Sequence, residues 1–339
     1  MRVFWDERQR LHAPDKELHN GGFVPFAETP ARADAILTAV GATEAPIDHG
    51  EEAILRVHPR GYVDFLKSAH ADWRAAGRDG DAAGYVWPVV GRRPLNLTRI
   101  DARLGQYSYD ASTPIAAGTY EAAYWSAQAA LSGMDALLRG DRTAFALCRP
   151  PGHHCGADYM GGYCYLNSAA IAAEAAIAAG RRRIAILDID YHHGNGTQDI
   201  FLDRGDVFFA SIHADPKTDY PFYWGHADER GLGAGEGATL NLPLPRGTDL
   251  PAFEPALDKA LRAIAGFAPD VLVVSYGADT FAGDPISFFK LETADYEAIA
   301  RRIASAGLPT LVVMEGGYAV DALGANVTSF LSGFEGGAP

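Results

Sequence analysis

Long apolar runs are missing from this 339-residue chain. Its most apolar helical stretch, residues 169–179, is alanine-rich, broken by Glu174 and far short of the roughly 20 residues needed to cross a bilayer. No membrane span is expected. Residues 1–11 carry Asp6, Glu7, Arg8 and Arg10 in place of an apolar stretch, so no secretory signal is expected either. Cysteine is scarce: Cys148, Cys155 and Cys164 are odd in number and lack CxxC spacing. They suggest neither a disulfide framework nor a thiolate zinc cluster, and a cytoplasmic location fits best. Basic side chains are outnumbered, 29 Lys and Arg against 43 Asp and Glu, for a net charge of −14. That balance disfavours nucleic acid as a partner and makes a cationic ligand easier to hold than an anionic one.

What is present is the make-up of a globular protein with a large core, 48% hydrophobic and 21% charged. Apolar, β-branched runs at residues 144–147, 183–188, 207–212, 271–275 and 310–314 predict buried strands. Helical patterns lie between several of them, at 119–138, 168–179, 251–267 and 294–306, with Thr293 as the expected N-cap of the last. Strand and helix in alternation predict an α/β fold whose central parallel sheet is covered by helices on both faces. No repeat and no linker-like break divides the chain, so residues 1–339 are expected to form a single domain. Two stretches, about 75–114 and 213–237, read as long irregular loops, and their aromatics favour ordered binding surface over linker.

The polar residues that carry chemistry follow the strands. The run 183–188 leads into ILDIDYHHGNGTQ, which puts Asp188, Asp190 and His192 at a strand's carboxyl end, where ligand sites of open α/β sheets lie. Residues two apart in extended backbone point to one side, so Asp190 and His192 can reach one cation together. Either residue alone is ordinarily just hydrogen-bonded; three such groups at one apolar strand end favour a metal, because leaving them unpaired costs several kcal/mol. A second strand leads through CRPPGHHCG to His153 and His154, held by a stiff Pro-Pro-Gly turn and suited to act as base and charged partner beside a metal. A third, VLVVS, leads through YGADTF to Asp279, and a fourth, LVVM, through EGGY to Tyr318, whose hydroxyl can donate to an oxyanion.

The motifs CRPPGHH, DIDYHHGNGTQ, SYGADTF and EGGY, in that order over residues 148–318, resemble those of the histone deacetylase superfamily, with its arginase/deacetylase α/β fold. The segments LHAPDKELHNGG and DPISFFKL are more particularly similar to bacterial acetylpolyamine amidohydrolases. The resemblance implies a metal-dependent amidohydrolase that deacetylates acetylpolyamines and related small cationic amines. It implies zinc, with iron or cobalt as alternatives, on Asp190, His192 and Asp279, and catalysis by His153, His154 and Tyr318. Asp188 and Asn195 would stand behind the two histidines, and Asp188, Asp190, His192, Ser211 and Ile212 would form an inner potassium site.

Tyr163 and Tyr220 match positions lining the substrate tunnel. Asp101 matches an acid at its mouth, whereas Ser112 stands where a second is expected, which Asp110 would replace. Asn195 is a departure, since some members carry Asp there, and the missing charge should favour a neutral His154. The insertion at about 75–114 implies a homodimer that narrows the tunnel entrance and excludes folded proteins. A protein acetyl-lysine deacetylase and a non-catalytic acetyl-amine sensor are the alternatives carried forward.

Overall fold

In the computed structural model, residues 1–19, 21–88 and 95–335 are described. Asn20 of the LHAPDKELHNGG segment, residues 89–94 of the expected insertion and residues 336–339 of the expected domain lie outside them. The strands are β1 (Arg2–Phe4), β2 (Lys16–His19), β3 (Gly22–Pro25), β4 (Thr143–Ala146), β5 (Ile184–Asp188), β6 (Val207–Ala214), β7 (Thr239–Leu244), β8 (Val271–Tyr276) and β9 (Thr310–Met314). All but the β2–β3 hairpin join one seven-stranded sheet in the order β1-β4-β9-β8-β5-β6-β7, parallel at every pairing.

A parallel sheet needs both faces covered, and residue alternation along its strands does this. Ile184, Ile186, Val273 and Leu311 face one apolar layer, with helices Arg60–Ala75, Thr119–Leu138 and Ser168–Ala178. Their neighbours Ala185, Leu187, Leu272 and Val312 face the other, with helices Pro30–Val40, Leu250–Phe267, Thr293–Ala304 and Val320–Ser332.

The five strands expected from apolar runs are β4, β5, β6, β8 and β9, with small shifts at their ends. The two sheet strands not anticipated, β1 and β7, are its edges: one has three residues and the other carries Asn241 and Pro243. Three residues are too few for an apolar run, and in β7 the polar break is Asn241, buried with its amide donating to Gln198 Oε1 at 2.7 Å. Thr293 is not an N-cap. Glu292 caps that helix in a reciprocal box with Asp295, while the Thr293 hydroxyl donates to Asn326 Oδ1 at 2.7 Å. The irregular stretch 75–114 contains a helix, Ile100–Tyr107.

His58 is fully buried just before helix Arg60–Ala75 and ties it to the start of helix Ser168–Ala178: its Nδ1 donates to Ala157 O at 2.9 Å and its Nε2 accepts from the Asn167 N–H at 3.0 Å. Burial lowers its pKa to about 4. The unfolded chain, with His58 near 6.5, therefore binds its proton first. The contribution is complete above pH 6.5 and is lost as pH falls toward 4, with a magnitude on the order of 3 kcal/mol. Chemical denaturation across that window should show stability falling with acid, and His58→Gln should flatten this part of the curve; an unchanged slope would refute the assignment.

Candidate active site

The adjacent strands β4, β9, β8 and β5 deliver their following residues to one end of the sheet. Asp190 and His192 follow β5, and Asp279 follows β8. Candidate ligand atoms of the three lie within 4.8 Å of one another, with His192 Nδ1 at 3.1 Å from Asp279 Oδ2 and 3.4 Å from Asp190 Oδ1. Both carboxylates are fully buried.

Backbone N–H groups orient these acids: those of Gly316 and His192 donate to Asp190, each at 2.8 Å, and that of Tyr191 donates to Asp279 at 2.9 Å. Glycine is required around them, because a Cβ at Gly277 or Gly316 would stand 2.0 or 2.6 Å from Asp190 Oδ2. Burial and then the Asp190 charge raise the Asp279 carboxyl to about 7. Burial opposes ionisation of Asp190 as well, but the His153 charge and hydrogen bonding with His192 hold it well below the usual carboxylate range. Two carboxylates and an imidazole facing one point, with a repulsion that a cation would relieve, fit a divalent ion with three protein ligands and an open position.

The adjacent histidines sit in opposite environments. His153 Nδ1 lies 3.0 Å from Asp188 Oδ2 and its Nε2 3.8 Å from Asp190 Oδ1. Burial disfavours its charge, but the two carboxylates outweigh that and raise it to about 10. His154 Nδ1 donates instead to the neutral Asn195 Oδ1 at 2.7 Å, and burial followed by the His153 charge pushes it well below 6.5. One histidine is a fixed cation and the other a neutral base. Gly162, at φ +52°, lies against the His154 ring, where a Cβ would meet Cδ2 at 2.2 Å.

His154, His192, Tyr163, Tyr220 and Tyr318 line one cavity of about 360 Å³. Tyr163 and Tyr318 meet edge to face at 5.7 Å, and Tyr220 stands edge to face against His154 at 5.1 Å. Asp110 does not line it. Its Oδ2 accepts from the Gly162 N–H and lies within hydrogen-bond distance of the Tyr220 hydroxyl, both at 2.8 Å, so the acid braces the wall. Asp101 is not brought to the cavity either: it pairs with Arg78 and with Arg99, the latter at 3.0 Å, and lines a separate hollow with Asp72. Ser211 pairs in register with Asp188 across β5 and β6, and its hydroxyl lies 2.8 Å from His213 Nδ1.

Several supports were not singled out in the sequence. Glu315 closes the β9 end, accepting from the Gly152 and His153 N–H groups at 2.7 and 3.1 Å and from the Ser275 hydroxyl. Buried Arg32 donates to Gly317 O at 2.6 Å and to Glu315 O at 2.7 Å, and stacks 4.9 Å from the Tyr318 ring. Asp284 accepts from the Tyr318 N–H at 2.7 Å, and Glu17 accepts from the Tyr163 hydroxyl at 2.9 Å. Glu315, Asp284 and Glu17 fall inside quoted motifs, a usable signal; Arg32 has none.

Residues 26–334 match the histone deacetylase domain. The chain belongs to that family. It is a hydrolytic deacetylase by this membership and by its likeness to named hydrolases along its whole length. It is 52% identical to acetylpolyamine amidohydrolase 1 of Pseudomonas aeruginosa, over 98% of this chain and 99% of that relative. It is 48% identical to the acetylpolyamine amidohydrolase of Mycoplana ramosa, over 99% and 100%. The crystal structure of an acetylpolyamine aminohydrolase from Burkholderia pseudomallei superposes with a TM-score of 0.95 at 40% identity, covering 98% of both chains.

Asp279→Asn should lower bound zinc from about one ion per chain to well below half, measured by elemental analysis of protein dialysed against trace zinc. Chelation of the native deacetylase should lower its melting temperature, and zinc at about 100 times its Kd should restore about 3 kcal/mol. Full occupancy in the variant would exclude this ligand set.

Proposed function

We propose that this deacetylase hydrolyses acetylpolyamines and related small cationic acetylated amines. The observation that carries the reading is the pairing, at the end of one aromatic-walled cavity, of the Asp190–His192–Asp279 triad with a neutral His154 and the Tyr318 hydroxyl. The relatives' named substrates and the net charge of −14 support the substrate class. A divalent ion held by the triad, zinc foremost with iron or cobalt as alternatives, supplies a Lewis acid and an activated water.

His154 takes the water's proton at Nε2, because its Nδ1 already donates to Asn195. Tyr318 donates to the developing oxyanion; burial holds its hydroxyl well above its usual pKa, so it keeps the proton it donates with. His153, fixed as a cation by Asp190 and Asp188, adds positive charge beside the reacting centre. His154 then returns its proton to the departing amine. Tyr163 and Tyr220 flank the aliphatic chain of the amine. Potassium is assigned to Asp188, Asp190, His192, Ser211 and Ile212, a reading supported by the register of β5 with β6.

The chain is read as a single deacetylase domain, working in the cytoplasm, a setting that three buried free cysteines suit. No helix among the described residues is long and apolar enough to cross a membrane. A homodimer through residues 75–114 is supported by the exposed Tyr85, Val86 and Leu95 of that segment.

Tyr318→Phe should retain fold and zinc while kcat drops about 10²- to 10³-fold; near-native turnover would remove the proposed oxyanion donor. A panel of acetylated diamines, longer acetylpolyamines and acetyl-lysine peptides should rank the small amines first by kcat/KM. Faster cleavage of the peptides would favour a protein deacetylase, and binding without acetate release a sensor. Light scattering should give a dimer that Tyr85→Ser with Val86→Ser converts to a monomer; an intact dimer would move the interface elsewhere.

A further inference from the structure

We propose that Tyr159 and Asp199 are positioning residues that set the tautomer of His154 by dictating which way the Asn195 side chain faces. An asparagine offers an acceptor oxygen on one side and a donor nitrogen on the other. With Oδ1 toward His154, the imidazole carries its proton on Nδ1 and keeps the Nε2 lone pair for catalysis. With Nδ2 toward it, the proton must sit on Nε2 and the base is gone. Aspartate in the same place would be unambiguous, since both of its oxygens accept.

The ambiguity is removed from the far side of the amide. Asp199 lies one turn beyond Asn195 on the helix Asn195–Phe201, and its Oδ2 accepts from the Tyr159 hydroxyl at 2.6 Å and from the Trp224 indole N–H at 3.2 Å. A phenol has one proton, and here it is committed to the carboxylate. Toward Asn195 the Tyr159 oxygen can therefore only accept, and Asn195 Nδ2 stands 3.5 Å from it. The amide nitrogen is fixed on Tyr159, and Oδ1 is left for His154 at 2.7 Å. The Tyr109 hydroxyl donates to the same Oδ1 at 3.3 Å, consistent with that orientation. Space for the Tyr159 ring is provided by Gly156, where a Cβ would lie 2.3 Å from Cε1.

The kinetic part of the test rests on the deacetylase reading; the spectroscopic part does not. Tyr159→Phe should lower kcat about tenfold with KM changed less than about twofold, because the population of base-competent His154 falls. In the Asn195→Asp background, which changes activity in its own right, the same substitution should cost less than about twofold, since no amide orientation remains to be fixed. Asp199→Asn, which leaves the Tyr159 ring in place, should repeat the pattern if Tyr159→Phe folds poorly. Nitrogen-15 NMR of histidine-labelled, zinc-loaded protein should show His154 protonated at Nδ1, with Tyr159→Phe moving it toward the Nε2–H form.

Equal losses in both backgrounds would mean that Tyr159 acts through packing alone and would overturn the proposal, as would no loss in either. So would a native His154 already in the Nε2–H form. Failure of the native chain to turn over any acetylated amine would sink the deacetylase reading, and the NMR comparison would then decide the tautomer question alone.

Discussion

Asp188, Asp190, Asp279 and Glu315 are completely buried at one end of a sheet, and two imidazoles lie against them, His153 at 3.0 Å from Asp188 and His192 at 3.1 Å from Asp279. Burying an unpaired charge costs several kcal/mol, so this excess of carboxylate is the constraint on which the site depends. The chain meets it partly from its backbone. The N–H groups of Asp190, Tyr191, His192, Gly152, His153 and Gly316 all point at these acids. Such an arrangement requires strand ends that turn tightly, which is why glycines stand at 277 and 316, where no Cβ fits beside Asp190. The remaining excess is what a divalent ion would neutralise. Burial and the Asp190 charge hold the Asp279 carboxyl above its usual range, so a cation beside it would favour its ionised form.

The same field explains how two neighbouring imidazoles take different jobs. Asp188 and Asp190 surround His153 with negative charge and keep it protonated. His154, one residue on, is buried with a cation beside it, and both favour its neutral form, while the Asn195 amide behind it opposes this less than a carboxylate would. The adjacency is useful because the charged ring lowers the proton affinity of the neutral one, and their centroids are only 4.1 Å apart. A carboxylate behind His154 would work against this by stabilising its charged form. An amide avoids that effect but introduces an orientation that something else must fix.

How much of this was readable from the sequence follows from where each residue's partners lie. Strands β4, β5, β8 and β9 are buried on both faces, so each reads as an apolar run, and their chemistry-bearing residues follow within a few positions. That made the Asp190–His192–Asp279 cluster, the histidine pair and Tyr318 legible. Groups that act through distant partners were not. Glu17 reaches Tyr163 across 146 positions, and Arg32 reaches Gly317 across 285. Asp101 read as a tunnel acid because nothing local reveals its pairing with Arg78, and Asp110 read as a ligand for substrate although its carboxylate is turned to Gly162. Edge strands β1 and β7 escaped because the first has only three residues and the second is interrupted by Pro243 and by Asn241, whose buried amide donates to Gln198 Oε1 at 2.7 Å.

The rigidity of the cavity wall comes from acids that stand behind it. Tyr163 and Tyr220 present aromatic surface to the cavity, and each hydroxyl points away from it toward an acid, Glu17 in one case and Asp110 in the other. Each acid keeps one buried oxygen, Oε2 of Glu17 and Oδ1 of Asp110, without a hydrogen-bond partner. The acids thus hold the rings in place; burial raises the Glu17 carboxyl to about 7, so behind Tyr163 the support is a hydrogen bond more than a fixed charge. The wall so braced offers rigid aromatic surface against which an extended aliphatic chain can lie without rearrangement of the rings.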